Sequence, residues 1–117
     1  MDARTRLGRS GEDLAAAYYR RRGYAVLDRN YRCRGGEIDV VLRRGKVLVF
    51  CEVKTRSSDR FGTPAEAVHP LKQDRIRRAA AQWMVARRPG RVEVRFDVFS
   101  VIVRAGRIEV GCIPDAF

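Results

Sequence analysis

The sequence predicts an α/β fold, a central mixed β-sheet flanked by α-helices, with α+β as the neighbouring class. Three observations carry that reading. Two Val- and Leu-rich runs, residues 36–42 and 47–54, flank the basic turn Arg43-Arg44-Gly45-Lys46, which is a β-hairpin signature. Apolar positions at helical spacing follow from Leu71, and apolar runs from Val92 onward supply two more strands. The expected order is helix, strand, hairpin, helix and two strands, in one domain covering residues 1–117.

In chain order, Ser10-Gly11-Glu12-Asp13 opens the first helix, with Ser10 as N-cap and Asp13 at the third helical position. Leu14, Ala17, Tyr18 and Arg21 continue at helical spacing. Arg20-Arg21-Arg22 suits the negative end of the helix dipole, and Gly23 offers a stop. Tyr24-Ala25-Val26-Leu27 begins a strand that extends to Tyr31 or Cys33, and residues 32–36 form a basic turn. Gly35-Gly36 precedes no helix, so P-loop and dinucleotide readings fail. Residues 55–62 are polar and Gly-ended, a loop by composition. Thr63-Pro64-Ala65-Glu66 is a helix start, and His69-Pro70 restarts the pattern. Ile76, Ala79, Ala80, Trp83 and Met84 then mark the core face of a long helix, while Lys72, Arg75, Arg77 and Arg78 lie on the other. Pro89-Gly90 ends it. Residues 92–103 and 108–113 are strands joined at Ala105-Gly106.

The hairpin carries charges where a sheet normally carries packing residues. Asp39 interrupts its first strand, and Glu52 and Lys54 interrupt its second. Ionised groups are costly to bury unless paired or metal-bound. A two-residue turn at Arg44-Gly45 would set Val41 against Leu48, Asp39 against Phe50 and Glu37 against Glu52. Asp39 is then diagonal to Glu52 on one face, close enough for both to hold one cation. Sliding the register by two preserves the faces, whereas an odd shift destroys the cluster.

Composition bounds the partners. The chain has 25 Lys and Arg against 14 Asp and Glu, a formal +11. Such a field attracts polyanions, nucleic acid first, although an Arg-rich coding bias produces the same count. No apolar run has the length of a membrane span, and Met1-Asp2-Ala3-Arg4 leads into no signal-like core, so a cytoplasmic protein without a membrane partner is expected. Cys33, Cys51 and Cys112 are odd in number and far apart, which argues against a disulfide framework and a structural zinc site. Cys51 reads as a buried small hydrophobe, and His69 as an exposed loop residue. Trp83 and most tyrosines read as packing groups.

An Asp on one strand and Glu-x-Lys on its neighbour is what metal-assisted phosphodiester cleavage requires. Mg²⁺ or Mn²⁺ takes oxygen ligands and keeps several waters, so Asp39, Glu52 and the Val53 carbonyl suffice. Lys54 could then hold or deprotonate the attacking water. The same three charged residues fit a structural ion pair equally well. For Glu12, the residues alone favour complementation of the helix dipole.

The strings Glu37-Ile38-Asp39, Phe50-Cys51-Glu52-Val53-Lys54-Thr55-Arg56 and Phe61-Gly62-Thr63-Pro64-Ala65-Glu66-Ala67-Val68, with Lys72-Gln73 following, closely resemble the bacterial YraN-type family. The resemblance extends from Gly11-Glu12 through Asn30-Tyr31-Arg32 and Arg95-Phe96-Asp97-Val98 to Ala116-Phe117. That family is described as predicted endonucleases with a restriction-endonuclease-like core, similar to archaeal Holliday junction resolvases. By resemblance, Asp39, Glu52 and Lys54 correspond to the metal-binding and catalytic core. Glu12 corresponds to a helix-borne acidic metal ligand, and Gln73 to a glutamine that orients the site. One departure stands out: the residue before Asp39 is Ile38 where the superfamily pattern has Pro.

The expected function is a Mg²⁺- or Mn²⁺-dependent endonuclease acting on DNA, branched or otherwise structured. The alternative is a catalytically weak nucleic-acid-binding module of the same fold. Arg32, Arg34, Arg56, Arg60 and Lys72 are the expected phosphate contacts. Junction resolution would need a homodimer, for which Phe99-Ser100-Val101 is the hinted contact strand.

Overall fold

The computed structural model describes residues 3–57 and 68–117, and the side chains of residues 11–57 and 68–117. Helix α1 (Ala3–Arg21) precedes strands β1 (Ala25–Cys33), β2 (Gly36–Arg44) and β3 (Val47–Arg56). Helix α2 (Pro70–Arg87) and strands β4 (Glu93–Arg104) and β5 (Arg107–Ile113) follow. The strands form one sheet in the order β1-β2-β3-β4-β5. Only β3 and β4 run parallel; the other neighbours are antiparallel. This mixed sheet with a helix on each face is the expected α/β class and is consistent with a restriction-endonuclease-like core.

Strand β3 is the middle of that sheet, and its sequence says why. Leu48 and Phe50 point to one face and Val49 and Cys51 to the other, and all four are buried. The first pair packs with Val41, Val98 and the stripe Ile76, Ala79, Ala80 and Trp83 of α2. The second packs with Val40, Leu42, Phe99, Val101 and residues Ala15 and Tyr19 of α1. Each helix therefore covers one side. No described helix is long and apolar enough to cross a membrane.

The structure departs from the sequence expectations at three places. Helix α1 starts at Ala3 rather than at Ser10, so Glu12 lies inside the helix and its first turn holds no acidic residue. Ala, Arg and Leu at positions 3, 4, 6 and 7 are good helix formers, and nothing there breaks the pattern. The dipole explanation of Glu12 fails with it. Gly11 is tolerated inside the helix because α1 touches the end of β3 there: a Cβ would lie 2.7 Å from Thr55 Oγ1 and 3.1 Å from Val53 Cγ1. Second, Phe99-Ser100-Val101 is not an exposed strand. It lies in β4 between β3 and β5, and all three residues are buried. Third, the hairpin turn is Gly45-Lys46, because Arg44 pairs with Val47 and Val41 with Phe50. Gly45 has φ 59°, which suits the left-handed conformation such turns demand. The slide is by two residues in total, so the faces survive and the pairs change. The Thr63-Pro64 helix start falls outside the described residues.

The ends of α2 are fixed by side chains. His69 is its N-cap, with Nδ1 accepting the Leu71 N–H at 3.1 Å, and Pro70 takes the first helical position. Far along the helix, Trp83 Nε1 and Arg87 Nη2 both donate to Asp28 Oδ2 on β1, at 3.1 and 3.0 Å. On the α1 side, Asp97 is completely buried yet fully answered. Its carboxylate accepts from Tyr19 Oη at 2.6 Å, Arg95 Nε and Nη2 at 2.8 and 2.9 Å, and Asp115 N at 3.0 Å.

Removing one partner of a buried, hydrogen-bonded pair strands the other, so Asp97→Ala should destabilise the fold by about 3–5 kcal/mol in urea unfolding. Tyr19→Phe, which removes one donor, should cost only about 0.5–1.5 kcal/mol. Equal losses in the two variants would contradict this division.

Candidate metal centre

The pairing of β2 with β3 ends at Val40 and Cys51. One further step of the same register would set Asp39 against Glu52, in place of the diagonal expected from the sequence. Instead of another backbone bond, Asp39 Oδ2 accepts the Val53 N–H at 2.7 Å. A side chain has taken over where the ladder opens. On the other edge of β2, Arg29 pairs with Val40 and Tyr31 with Ile38, and between them Asn30 adopts φ 51°. The N–H and carbonyl of one strand residue face the same edge, so the Val53 carbonyl looks into this opening as well.

Glu52 is the most enclosed acid of the site, with 4% of its surface exposed. Lys72 Nζ lies 2.6 Å from its Oε1, and Lys54 Nζ lies 3.8 Å from the same oxygen. Glu37, expected opposite Glu52, instead pairs with Arg32 at 3.5 Å in the solvent, because the slid register moves it away. Burial, then the charge of Glu52, push the Asp39 carboxyl up to about 7, against the pull of the Val53 N–H. Burial and the neighbouring Lys72 cation lower the pKa of Lys54. Burial opposes the charge on Lys72 too, but its bond to Glu52 outweighs that and raises its pKa.

Glu12 Oε2 accepts from Asn30 Nδ2 at 2.8 Å and lies 3.8 Å from Arg29 Nη2. Its charge reaches Asp39 and contributes to raising that carboxyl. Even so, among the described residues no group of three or more His, Cys, Asp or Glu converges to hold a metal. Gln73 Nε2 donates to the Val68 carbonyl at 3.0 Å, tying the start of α2 to the core. Arg32 and Arg34 are exposed on and beside the β1–β2 turn, and Arg56 is half-buried at the end of β3. Arg60 lies outside the described residues.

Lys72, expected as a phosphate contact, is the close partner of Glu52, and Asn30 was not expected in the site at all. Lys72 was assigned to the outer face of α2, yet it lies one turn before Ile76 and ends the buried stripe. The i, i+4 spacing from Ile76 was the available signal. Asn30, which holds Glu12, stands in the string that carries the family resemblance, and Asn is a residue that tolerates positive φ.

Comparison with known proteins now places the chain. The profile of "Uncharacterised protein family UPF0102" matches residues 11–101. The chain belongs to the UPF0102 family. A UPF0102 protein of Frankia casuarinae is 52% identical over 118 residues, covering 100% of both chains. One of Geobacter metallireducens is 47% identical over 95% of this chain and 91% of its own. A third, of Streptomyces griseus, is 53% identical over 88% and 87%. UPF0102 is the YraN-type family whose residue strings the sequence carries, and its description names no activity.

A raised carboxyl pKa favours folding while the group is protonated. The Asp39 contribution is therefore complete below about pH 4 and lost as pH rises through about 7. Asp39→Asn keeps an oxygen for the Val53 N–H and cannot ionise. Between pH 5 and pH 8 the metal-free variant should gain about 2–3 kcal/mol on the parent in urea titrations. A difference that stays flat over that range would show that the carboxylate is not forced into a poorly solvated site.

Proposed function

We propose that this UPF0102 protein is a Mg²⁺- or Mn²⁺-dependent endonuclease that hydrolyses phosphodiester bonds in DNA, with branched or otherwise structured DNA as its substrate. One observation carries the reading: Asp39 and Glu52 meet where the β2–β3 ladder opens, with Lys54 beside them. Like charges forced together in a half-buried opening are expensive unless a cation joins them. The donors are oxygens only, two carboxylates and the Val53 carbonyl, which suits a hard divalent ion that retains waters. Bound there, such an ion would supply an activated water and offset charge growing on the phosphate.

The chain's own residues do the rest. Asp39 and Glu52 hold the ion in their ionised forms. Lys54, with its pKa lowered, stands where it can orient the attacking water or receive its proton. Glu12, fixed by Asn30, adds negative potential behind Asp39 rather than a further ligand. Gln73 positions the start of α2 and with it Lys72. The formal +11 and the exposed Arg32 and Arg34 support a polyanionic substrate.

A non-catalytic nucleic-acid-binding module is the second reading, and Lys72 favours it. At 2.6 Å from Glu52 Oε1 it already neutralises the carboxylate that a divalent ion would need.

Cleavage assays across junction, flap, single-stranded and duplex DNA, with matching RNAs and either metal, separate the two. Asp39→Asn and Lys54→Ala should each slow cutting by about 10²–10⁴-fold. DNA binding should survive in both and weaken as salt rises. Undiminished cutting by Asp39→Asn rejects the assignment. Salt-sensitive binding, without cutting and without heat on titration of Mg²⁺ or Mn²⁺, selects the binding module.

A further inference from the structure

A cavity of about 440 Å³ lies between the turn joining β1 to β2 and the first half of α2, and Lys72 in its wall links it to Glu52. Its size falls within the roughly 300–1,000 Å³ typical of small-ligand sites. It far exceeds the ~30 Å³ that one water occupies in the liquid, so it is not a mere solvent niche. Lys72, Arg75 and Arg32 line it, against one carboxylate, Glu37. Lys72 belongs to both places, since its Nζ is the close partner of Glu52.

The cations differ in how freely they can bind. Arg75 is exposed and makes no ion pair with any described residue. Arg32 holds Glu37 only at 3.5 Å, with both side chains more than half exposed, a pair that contributes little and opens readily. A concave site with one uncommitted guanidinium and a second loosely held one is built for an anion that accepts several hydrogen bonds. The rest of the lining is not suited to an anion alone. Ile76 is buried at its edge, and the Cys33 thiol, which donates to the Gly36 carbonyl at 3.4 Å, forms a soft wall. Gly36 lets the turn press on the helix, for a Cβ there would lie 2.7 Å from the Arg75 carbonyl oxygen. The wall is thus fixed by backbone contact.

We propose that this cavity is a nucleotide subsite. It seats a phosphate through Arg75 and Arg32, and the attached nucleoside lies against Ile76 and Cys33. Glu37 at the rim offers an acceptor to the base or sugar. Its bearing on cleavage rests on the nuclease reading, in which the occupant is a nucleotide flanking the scissile bond. The binding itself does not depend on that reading.

Thymidine 5′-monophosphate, thymidine and inorganic phosphate, titrated into the metal-free full chain and followed by amide NMR, test it. The monophosphate should shift Gly35, Gly36 and Ile76 saturably and bind at least about tenfold tighter than either fragment, the range expected for charge-assisted bonds. Arg75→Ala, a surface change favourable to a helix, should weaken it by a similar factor. Arg107→Ala, the same loss of one positive charge at the start of β5 on the opposite edge of the sheet from β1, should leave it unchanged. Equal affinity for inorganic phosphate, shifts centred elsewhere, or indifference to Arg75→Ala would each overturn the subsite. Retained nucleotide binding with no cleavage by the parent protein would sink the nuclease reading alone. Cleavage that is lost in Asp39→Asn, with no nucleotide binding, would sink the subsite alone.

Discussion

The ion pair between Glu52 and Lys72 is the constraint around which this molecule is arranged. Glu52 extends a strand that is packed on both faces and paired on both edges, so water cannot solvate it well. Its neutralising charge here is Lys72, in the first turn of α2. That contact sets where the helix begins over the sheet. The Trp83 and Arg87 bonds to Asp28 set where its other end lies, and the apolar stripe between them fills the space. Lys54 is left at a longer distance from the same oxygen, and burial, then the nearby Lys72 charge, make the Lys54 proton easier to lose.

The two faces of the sheet treat a carboxylate in opposite ways. Asp97 collects four hydrogen bonds, two of them from one guanidinium, and nothing about it is left to satisfy. Its partners join α1, β4 and the turn at Asp115, so its role is to hold elements together. Asp39 receives one backbone N–H and faces another acid. A fully bonded carboxylate like the first is a structural tie, and a perturbed carboxylate in an opening is a functional-site candidate. The contrast between two acids on one sheet is more informative than either alone.

Much of this was legible beforehand because side chains alternate along a strand. The period of two put Glu52 and Lys54 on one face and kept them there whatever the turn, so moving the turn from Arg44-Gly45 to Gly45-Lys46 altered the pairs without scattering the group. The start of α1 was misread because Ser10-Gly11 has the look of a cap, while the true reason for Gly11 is a contact with Thr55 and Val53 from a distant strand. Lys72 was misread because charge suggests a solvated face, and only tertiary packing reveals which acid is waiting for it. Phe99 and Val101 show the same limit: a run of apolar residues does not say whether a further strand will cover its edge, and β5 does.

The single parallel pairing has a consequence for how the chain comes together. β1, β2 and β3 are joined by short turns, and so are β4 and β5, so those pairs close locally. β3 and β4 have no such help. Val47 meets Glu93 and Arg56 meets Ile102, so each contact spans more than forty residues of chain, α2 included. The entropy of closing that long path falls on the seam beside Glu52, which makes it the slow seam of the sheet. A chain stalled before that step would hold the finished β2–β3 opening with one edge of β3 still bare, the edge type most prone to wrong partners.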